Sequence, residues 1–294
     1  MDDRERSAEL FEEHRPRLRA VAYRMLGSGS EADDAVQEAW LRFVRTDTGD
    51  VDNLAGWLTT VVARVCLNLL RSRDRRREEP LDARPADPVA DGGAGADPEG
   101  ETLLADSVGT AMLVVLDMLT PAERIAFVLH DMFAVPFDEI GPMIERSPAA
   151  ARQLASRARR RVKGVPAVPE PDLRRRRTVV EAFLAASRDG DFHALVALLD
   201  PDVVLRADSA AGPTPAPVLL RGAETVAKGA RAAALRAAVS TPALVDGTVG
   251  LVMAPYGRLA LVLAFTVEDG LITGIDVIAD RERLDRLEIA VLDA

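Results

Sequence analysis

The segment TPAERIAFVLHDMFAVPFDEIGPMIERSPAAARQLASRARRRVK, residues 120–163, decides the fold of the middle of this chain. Thr120 is placed to cap a helix, with Pro121 at the first helical position and Glu123 completing a capping box. A short helix over PFDEIGPMIER follows, and a strongly basic helix comes after a turn of two or three residues. Two short helices joined in this way predict a helix-turn-helix.

The basic helix, SPAAARQLASRARRRVK (147–163), carries six basic residues and no acidic one, although the chain has a formal net charge of -10. An α-helix fits the DNA major groove, and its N-terminal residues reach base edges. The side chains at this end that can bond bases or phosphates are Ser147, Arg152, Gln153, Ser156 and Arg157. Arg159, Arg160 and Arg161 extend the positive charge towards the backbone. The alternative is a solvated helix end whose arginines the helix dipole favours.

A second basic cluster ends an earlier predicted helix, LAGWLTTVVARVCLNLLRSRDRRR (54–77). Between Arg64 and Arg77 there are six arginines and one acid. An aromatic residue with hydroxyls and following arginines suits unstacked single-stranded bases and their phosphates. The candidate contacts are Trp57, Thr60, Arg64, Asn68 and Arg71. The alternative places Trp57 in the core and leaves the arginines solvated.

The helix before this cluster, EADDAVQEAWLRFV (31–44), is predicted to begin at a Ser30 N-cap. Its polar side carries Asp33, Asp34, Gln37 and Glu38, and its apolar side carries Val36, Trp40 and Leu41. Such a helix can dock on a partner's helix, or it is an ordinary amphipathic surface helix.

The remaining chain separates into linkers and a domain of another class. Residues 79–101 are rich in Pro, Gly, Ala and Asp and predict a flexible acidic linker, and residues 164–172 predict a Pro-rich spacer. After the spacer, helices alternate with five strand-like runs separated by Gly, Pro and Asp turns, and a closing helix is predicted over 281–292. This pattern predicts an α+β domain of about 120 residues.

Composition excludes several classes of protein. The single cysteine, Cys66, rules out a disulfide framework and a cysteine-based zinc site, and the three histidines match no metal-ligand spacing. The charged N-terminus lacks the apolar h-region of a signal peptide. The sequence also contains no run of about 18 apolar residues, so we expect no transmembrane helix. We therefore expect a cytoplasmic protein with no membrane partner and no metal or other cofactor.

The order of these motifs resembles the extracytoplasmic-function (ECF) group of RNA polymerase sigma factors over residues 7–163. The resemblance implies that residues 1–78 form sigma region 2, which binds core RNA polymerase and the −10 element of promoter DNA. It implies that residues 102–163 form sigma region 4, whose helix-turn-helix binds the −35 element. By resemblance the polymerase-binding residues are Asp33, Asp34, Gln37 and Trp40. Val65 stands where many relatives have Asn, with Asn68 three residues later.

Residues 173–294 resemble the cone-shaped SnoaL-like fold shared with polyketide cyclases and the nuclear transport factor 2 (NTF2) family, as in the SigJ-like group of sigma factors. The matching stretches include VVEAFLAASRDGDFHALVALLDPDVVLRAD and VEDGLITGIDVIADRERL. ADSAAG (207–212) stands where relatives often carry a DGGG-type stretch. A fused domain acts at high effective concentration on the modules to which it is tethered, so we expect it to regulate the sigma modules through an intramolecular contact.

Two other functions remain open from the residues alone. The first alternative to a sigma factor is a two-domain enzyme whose C-terminal fold acts on a small molecule and whose helical part is its DNA-binding regulator; His193, Asp208 and Asp276 are then the candidate acid-base groups. The second alternative is an ordinary helix-turn-helix repressor. No convergent set of polar groups supports catalysis, so we expect no enzymatic activity. The helix with Asp34 and the WLTTVVAR segment argue against a repressor, because a repressor needs neither.

Overall fold

The computed structural model describes the backbone of residues 3–46, 53–78, 109–212 and 216–292. The chain divides into two compact units. The first, the helical unit, comprises residues 1–109 and 116–159, and the second, the C-terminal unit, comprises residues 110–115 and 160–294. The predicted acidic linker 79–101 lies outside the described residues.

The helical unit begins with α1 (Asp3–Leu26), α2 (Gly29–Arg45) and α3 (Leu54–Glu78). Their buried faces contribute a continuous core that includes Phe11, Val36 and Leu58. Ser28 caps α2, with its Oγ accepting a hydrogen bond from the Glu31 N–H at 3.4 Å. The predicted Ser30 cap was wrong, because the chain re-enters helical geometry at Gly29 and Ser30 already lies inside α2.

The following helices are α4 (Thr110–Asp117), α5 (Pro121–Phe127), α6 (Phe137–Met143) and α7 (Pro148–Lys163), and a π-helical segment, Val128–Met132, extends α5. The predicted capping box is confirmed. The Thr120 Oγ accepts from the Glu123 N–H at 3.4 Å, and the Glu123 carboxylate accepts from the Thr120 N–H at 3.3 Å. Capping of this kind stabilises a helix end because it satisfies N–H groups that have no intrahelical partner.

Two arginines join α1 to other helices of the same unit. Arg124 donates from Nη1 to the Met25 carbonyl oxygen at 2.8 Å and from Nη2 to Asp117 Oδ1 at 3.0 Å. Arg73 donates to the Leu26 carbonyl oxygen at 3.1 Å and forms an ion pair with Glu31. The last carbonyls of a helix lack intrahelical donors and carry partial negative charge. Arg73 of α3 and Arg124 of α5 therefore both bind the C-terminus of α1.

The C-terminal unit contains a seven-stranded sheet in the order β2-β1-β6-β5-β4-β3-β7. The strands are β1 (Leu199–Ala207), β2 (Val218–Arg221), β3 (Ser240–Val245), β4 (Thr248–Met253), β5 (Leu261–Glu268), β6 (Leu271–Ile278) and β7 (Ile289–Ala290). All neighbours pair antiparallel except β1 and β6, which are parallel. The predicted architecture of helical modules followed by an α+β domain is confirmed.

The helices of this unit are α8 (Glu170–Asp189), α9 (Phe192–Leu198), α10 (Ala223–Ala232), α11 (Ala234–Ala238) and α12 (Arg281–Leu284). Val180 and Phe183 of α8 lie in one core cluster with Leu195 of α9, Val226 of α10 and Ile272 of β6. The predicted closing helix over 281–292 was wrong in length: α12 spans one turn, and Ile289–Ala290 then pairs with β3. Pairing at a sheet edge satisfies backbone groups that a surface helix would satisfy internally.

The segment after α7 is held against the edge of this sheet. The Val291 N–H donates to the Val162 carbonyl oxygen at 2.9 Å, and the Ala167 N–H donates to the Gly247 carbonyl oxygen at 2.8 Å. Gly164 has φ +60°, and a Cβ added there would lie 2.4 Å from the Ala290 Cβ. Only glycine fits this position, for reasons of both conformation and space.

Helix α3 contains the segment Leu54–Asp74, which among the described residues is long and apolar enough to cross a membrane, with a mean hydropathy of 1.2. Of the window tested, 44% is buried inside the protein, and core helices of water-soluble proteins meet the same criterion. Cys66 lies in the buried part of this helix, and its burial raises the pKa of the thiol to about 12. A thiol with so high a pKa is chemically inert.

Candidate nucleic-acid interface

The helix-turn-helix predicted from the sequence is formed by α6 and α7. The turn reverses sharply: the Arg146 N–H donates to the Gly141 carbonyl oxygen at 2.9 Å, and Glu145 has φ +58°. A Cβ on Gly141 would lie 2.8 Å from the Arg146 carbonyl oxygen, so a larger residue would force the turn open. The Ser147 Oγ accepts from the Ala150 N–H at 3.2 Å. Ser147 is therefore an N-cap of α7, and its hydroxyl is engaged in capping.

Helix α7 has one buried and one exposed face. Ala151, Ala155, Ala158 and Val162 are buried. Their spacing follows the helical period and explains the alanines, because small side chains let α7 approach the neighbouring helices closely. The residues that the sequence singled out on the opposite face are all exposed: Arg152, Gln153, Ser156, Arg157 and Arg160. The structure thus brings these five candidates together on one surface.

Two arginines on α7 are oriented by acidic side chains of the helical unit. Arg157 donates from Nε to Glu123 at 3.1 Å, and Arg159 donates from Nε to Asp131 at 2.5 Å. Glu123 is the same carboxylate that completes the capping box of α5. Guanidinium has five N–H donors, so an Arg157 held through Nε and 52% exposed keeps terminal donors for another acceptor.

Arg152 lies over the ring of Phe137, with its guanidinium carbon 5.3 Å from the ring centroid. A cation–π contact at an exposed site contributes about 0.5–1 kcal/mol and restricts the direction of the side chain. The second turn of α7 is therefore packed on the first residue of α6 through this arginine.

The second group of candidates follows one stripe along α3. Trp57, Thr60, Arg64, Asn68 and Arg71 are spaced three or four residues apart, which places them on one helix face about 21 Å long. Arg64 and Asn68 are exposed, and Trp57 is half-buried with its ring centroid 6.2 Å from that of Phe43. The Thr60 Oγ donates to the Gly56 carbonyl oxygen at 2.9 Å within the helix.

Arg71, at the end of this stripe, contacts the helix-turn-helix. Its Nη1 lies 3.4 Å from the Glu145 carboxylate in the turn between α6 and α7. Both side chains are well exposed, so this ion pair contributes at most about 1 kcal/mol. Glu145 is a residue that the sequence pattern did not single out, because only the tertiary structure places it beside α3.

The third group lies on α2. Asp34 and Gln37 are exposed, whereas Asp33 forms an ion pair with Arg19 of α1 at 2.7 Å. Trp40 is half-buried, and its ring packs edge-on against Phe11 with centroids 5.1 Å apart. Asp33 and Trp40 are therefore engaged inside the helical unit, while Asp34 and Gln37 present their polar groups to solvent.

Two apolar residues of α2 were misplaced or missed by the sequence pattern. Leu41, which we expected on the apolar side with Val36, is 40% exposed, and Val44 is 46% exposed. Together with Asp34 and Gln37 they are spaced three or four residues apart, so all four lie on one face. That spacing was available in the sequence as a signal for an apolar docking stripe.

The candidate acid-base groups of the C-terminal unit have different partners. The Asp208 carboxylate accepts hydrogen bonds from the N–H groups of Ala279 and Asp280, both at 2.9 Å, and lies 3.5 Å from Arg283. Burial by itself raises the pKa of Asp208, but these backbone donors and the Arg283 charge outweigh it, so the pKa lies below its ordinary value. Asp208 thus joins the end of β1 to the segment after β6.

The two other groups show different surroundings. His193 is exposed on α9, and Asp276 is half-buried at 4.0 Å from Arg206. Within the described part of the chain, no group of three or more His, Cys, Asp or Glu side chains is arranged to hold a metal ion.

Comparison with known proteins agrees with this geometry. Residues 10–76 match the family description of Sigma-70 region 2, and residues 110–162 match that of Sigma-70, region 4. The chain belongs to the ECF group of RNA polymerase sigma factors, and its recognition from sequence motifs is confirmed.

Several relatives of this family are similar to most of the chain. It is 43% identical to the ECF RNA polymerase sigma factor SigJ of Mycobacterium tuberculosis over 222 residues, which cover 74% of this chain and 70% of SigJ. It is 35% identical to the probable sigma factor SigI of the same species over 275 residues, 93% of either chain. The crystal structure of SigJ matches at 35% identity with a TM-score of 0.46, covering 94% of this chain and 98% of SigJ.

Proposed function

We propose that this protein is a sigma factor that binds core RNA polymerase and directs it to specific promoters in the cytoplasm. The observation that carries the proposal is the exposed face of α7, in a helix-turn-helix, where Arg152, Gln153, Ser156, Arg157 and Arg160 lie together. Arg and Gln are side chains that bond base edges bidentately, and an α-helix is the element that enters the major groove.

In this proposal α7 binds the −35 element. Arg152, Ser156 and Arg157 contact bases or their flanking phosphates, and Arg160 and Arg161 hold the backbone. Arg152 packs on Phe137, and Arg157 is hydrogen-bonded to Glu123. These contacts support the proposed role of the two arginines in binding bases, because restrained side chains lose less entropy when they bind. Arg161→Gln should weaken binding to all duplexes alike, whereas Arg152→Gln should change the base preference.

The stripe on α3 binds the −10 element. Trp57, Thr60, Arg64, Asn68 and Arg71 lie on one face about 21 Å long, which matches the reach of a few unstacked nucleotides. Asp34, Gln37, Leu41 and Val44 on α2 dock on the polymerase, with apolar contacts supplied by the two exposed aliphatic side chains. Asp33 and Trp40 support this surface from within the unit.

Run-off transcription with core RNA polymerase and a pool of genomic promoters tests this function. We expect specific transcripts that depend on the chain and that the double variant R152Q/R157Q abolishes. K228Q/R281Q, which removes two exposed charges from the C-terminal unit, is the matched control and should transcribe normally. The function is refuted if the wild-type chain binds no core polymerase and starts transcription at no promoter.

We further propose that the C-terminal unit modulates this activity. Support comes from its attachment to the end of α7 through the Val162–Val291 hydrogen bond and the close approach of Gly164 to Ala290. The full chain should differ in transcript yield from a chain ending near residue 170 whose helical content is confirmed by circular dichroism. Equal activity of the two chains would count against a regulatory role.

A further inference from the structure

Positive charge in the C-terminal unit is concentrated at its start. Residues 160–178 contain seven basic and two acidic residues, whereas residues 179–294 contain ten basic and sixteen acidic residues. The basic residues belong to the last turn of α7 and to the second turn of α8. The seventh of these residues, Arg177, forms an ion pair with Glu181 at 2.8 Å. We call the other six the basic surface, and they are Arg160, Arg161, Lys163, Arg174, Arg175 and Arg176.

Arg174 and Arg175 of α8 have only weak structural roles, unlike Arg188 of the same helix, which donates to the Ala237 and Ser240 carbonyl oxygens. Arg174 and Arg175 are 72% and 83% exposed, and their ion pairs with Glu170 and Asp172 are long, at 3.8 Å. Such exposed pairs contribute little stability. The helix dipole does not explain them either, because it favours cations in the last turn of a helix and these residues lie near its N-terminus.

The two halves of the basic surface are held in a fixed relation. The connecting segment is bonded to the sheet edge through Val162 and Ala167, and Gly164 packs against Ala290. Ten residues lie between Lys163 and Arg174, four of them helical, so the Cα atoms of Lys163 and Arg174 lie at most about 30 Å apart. Successive phosphates of one DNA strand follow each other every ~3.4 Å along the axis, so this distance spans at most about nine base pairs.

We propose that the basic surface binds the sugar-phosphate backbone of duplex DNA beside the segment that α7 reads. The inference rests on the proposed function of α7, because the last turn of that helix is itself part of the surface. Arginine is suited to this role, since its guanidinium stays charged and bonds phosphate oxygens bidentately. Such binding is independent of sequence and adds affinity rather than promoter choice.

The test compares the full chain with the variant R174Q/R175Q/R176Q. The charge-matched control is K228Q/R281Q/R286Q, which removes three exposed charges elsewhere in the same unit. Dissociation constants are measured over a range of salt concentrations for the holoenzyme, on promoter duplexes that end at the −35 element or extend about ten base pairs beyond it. The free chain is measured on a duplex without a promoter.

We expect the slope of log Kd against log salt to fall by about two to three for the variant on the extended duplex, since each phosphate contact contributes ~0.9. The control should keep the wild-type slope, and the short duplex should show a smaller difference. The promoter-free duplex should show the same loss of slope. The measurement on the promoter-free duplex still tests the basic surface if the chain fails to start transcription. Failure of the proposed function can therefore be distinguished from failure of this inference.

Three results would overturn the inference. An unchanged slope for the variant on every duplex would show that these arginines touch no phosphate. An equal loss in the control would show a general effect of net charge. A loss of affinity for core polymerase with DNA binding intact would assign the surface to a protein partner instead.

Discussion

Replacing Arg124 by Met should strongly destabilise the helical unit. The Arg124 side chain is 4% exposed and forms an ion pair with Asp117 at 3.0 Å as well as a hydrogen bond to the Met25 carbonyl oxygen at 2.8 Å. Removing one partner of a buried ion pair costs about 3–5 kcal/mol, because the remaining charge stays in a poorly solvated place. Met fills most of the volume of the Arg124 side chain, so the lost stability is due mainly to the missing polar contacts.

Urea unfolding followed by tryptophan fluorescence measures this loss. The two tryptophans of the chain, Trp40 and Trp57, both lie in the helical unit, so the signal reports on that unit alone. With an m-value of about 2–3 kcal/mol per M, the midpoint should fall by roughly 1.5 M.

The control for this prediction is Arg42→Met, which breaks the exposed ion pair with Glu38 at 2.9 Å. An exposed pair of this spacing contributes about 0.3–0.5 kcal/mol, so the midpoint should shift by no more than about 0.3 M. Equal shifts for Arg124→Met and Arg42→Met would refute the view that α5 is fastened to the end of α1 through Arg124.

Two further predictions concern the C-terminal unit. Gly164→Ala should speed hydrogen exchange at the Val291 amide by at least tenfold, because the added Cβ collides with Ala290 and the residue must keep φ +60°. Gly270→Ala, at φ +84° with nothing within 4 Å of the added Cβ, is the control for backbone strain alone and should leave that amide protected. Asp208→Asn should destabilise the unit by about 1.5–3 kcal/mol at pH 7, measured by thermal unfolding. Because the folded pKa of Asp208 is depressed, its stabilisation is present above the unfolded pKa of about 3.9 and is lost as the pH falls below it, so the variant and wild type should converge in acid. A constant difference between them down to pH 2 would contradict this account.

Local chemistry made much of the fold predictable. The capping box at Thr120 depends on residues three positions apart, so its pattern is complete in the sequence, and the structure has it as expected. The strands from β3 to β6 alternate with Gly and Asp turns that likewise act locally. The Ser30 cap was a local error of two residues, whereas the error at the end of the chain arose because a distant neighbour decides the structure there. Ile289–Ala290 has helical neighbours in sequence but pairs with β3.

The candidate site divides in the same way. The exposed face of α7 follows from the period of its alanines, and the stripe on α3 follows from spacing alone. The sequence did not show that Arg71 lies beside Glu145 or that Arg157 is held by Glu123, because these pairs join residues 74 and 34 positions apart. Leu41 was placed on the wrong face because it was grouped by its apolar character with Val36, although its spacing from Asp34 and Gln37 places it on their face.

By itself, the sequence determined the order of the modules, the family and the helix that carries the basic residues, because motif order, helical period and charge are properties of the chain. Only the tertiary structure decided that Arg124 and Arg73 bind the last carbonyl oxygens of α1. It also decided that Asp208, after β1, binds the backbone that follows β6, and that the segment after α7 is bonded to the sheet edge. Each of these contacts depends on which distant groups meet, and burial makes an unsatisfied carbonyl or carboxylate costly enough to fix the partner.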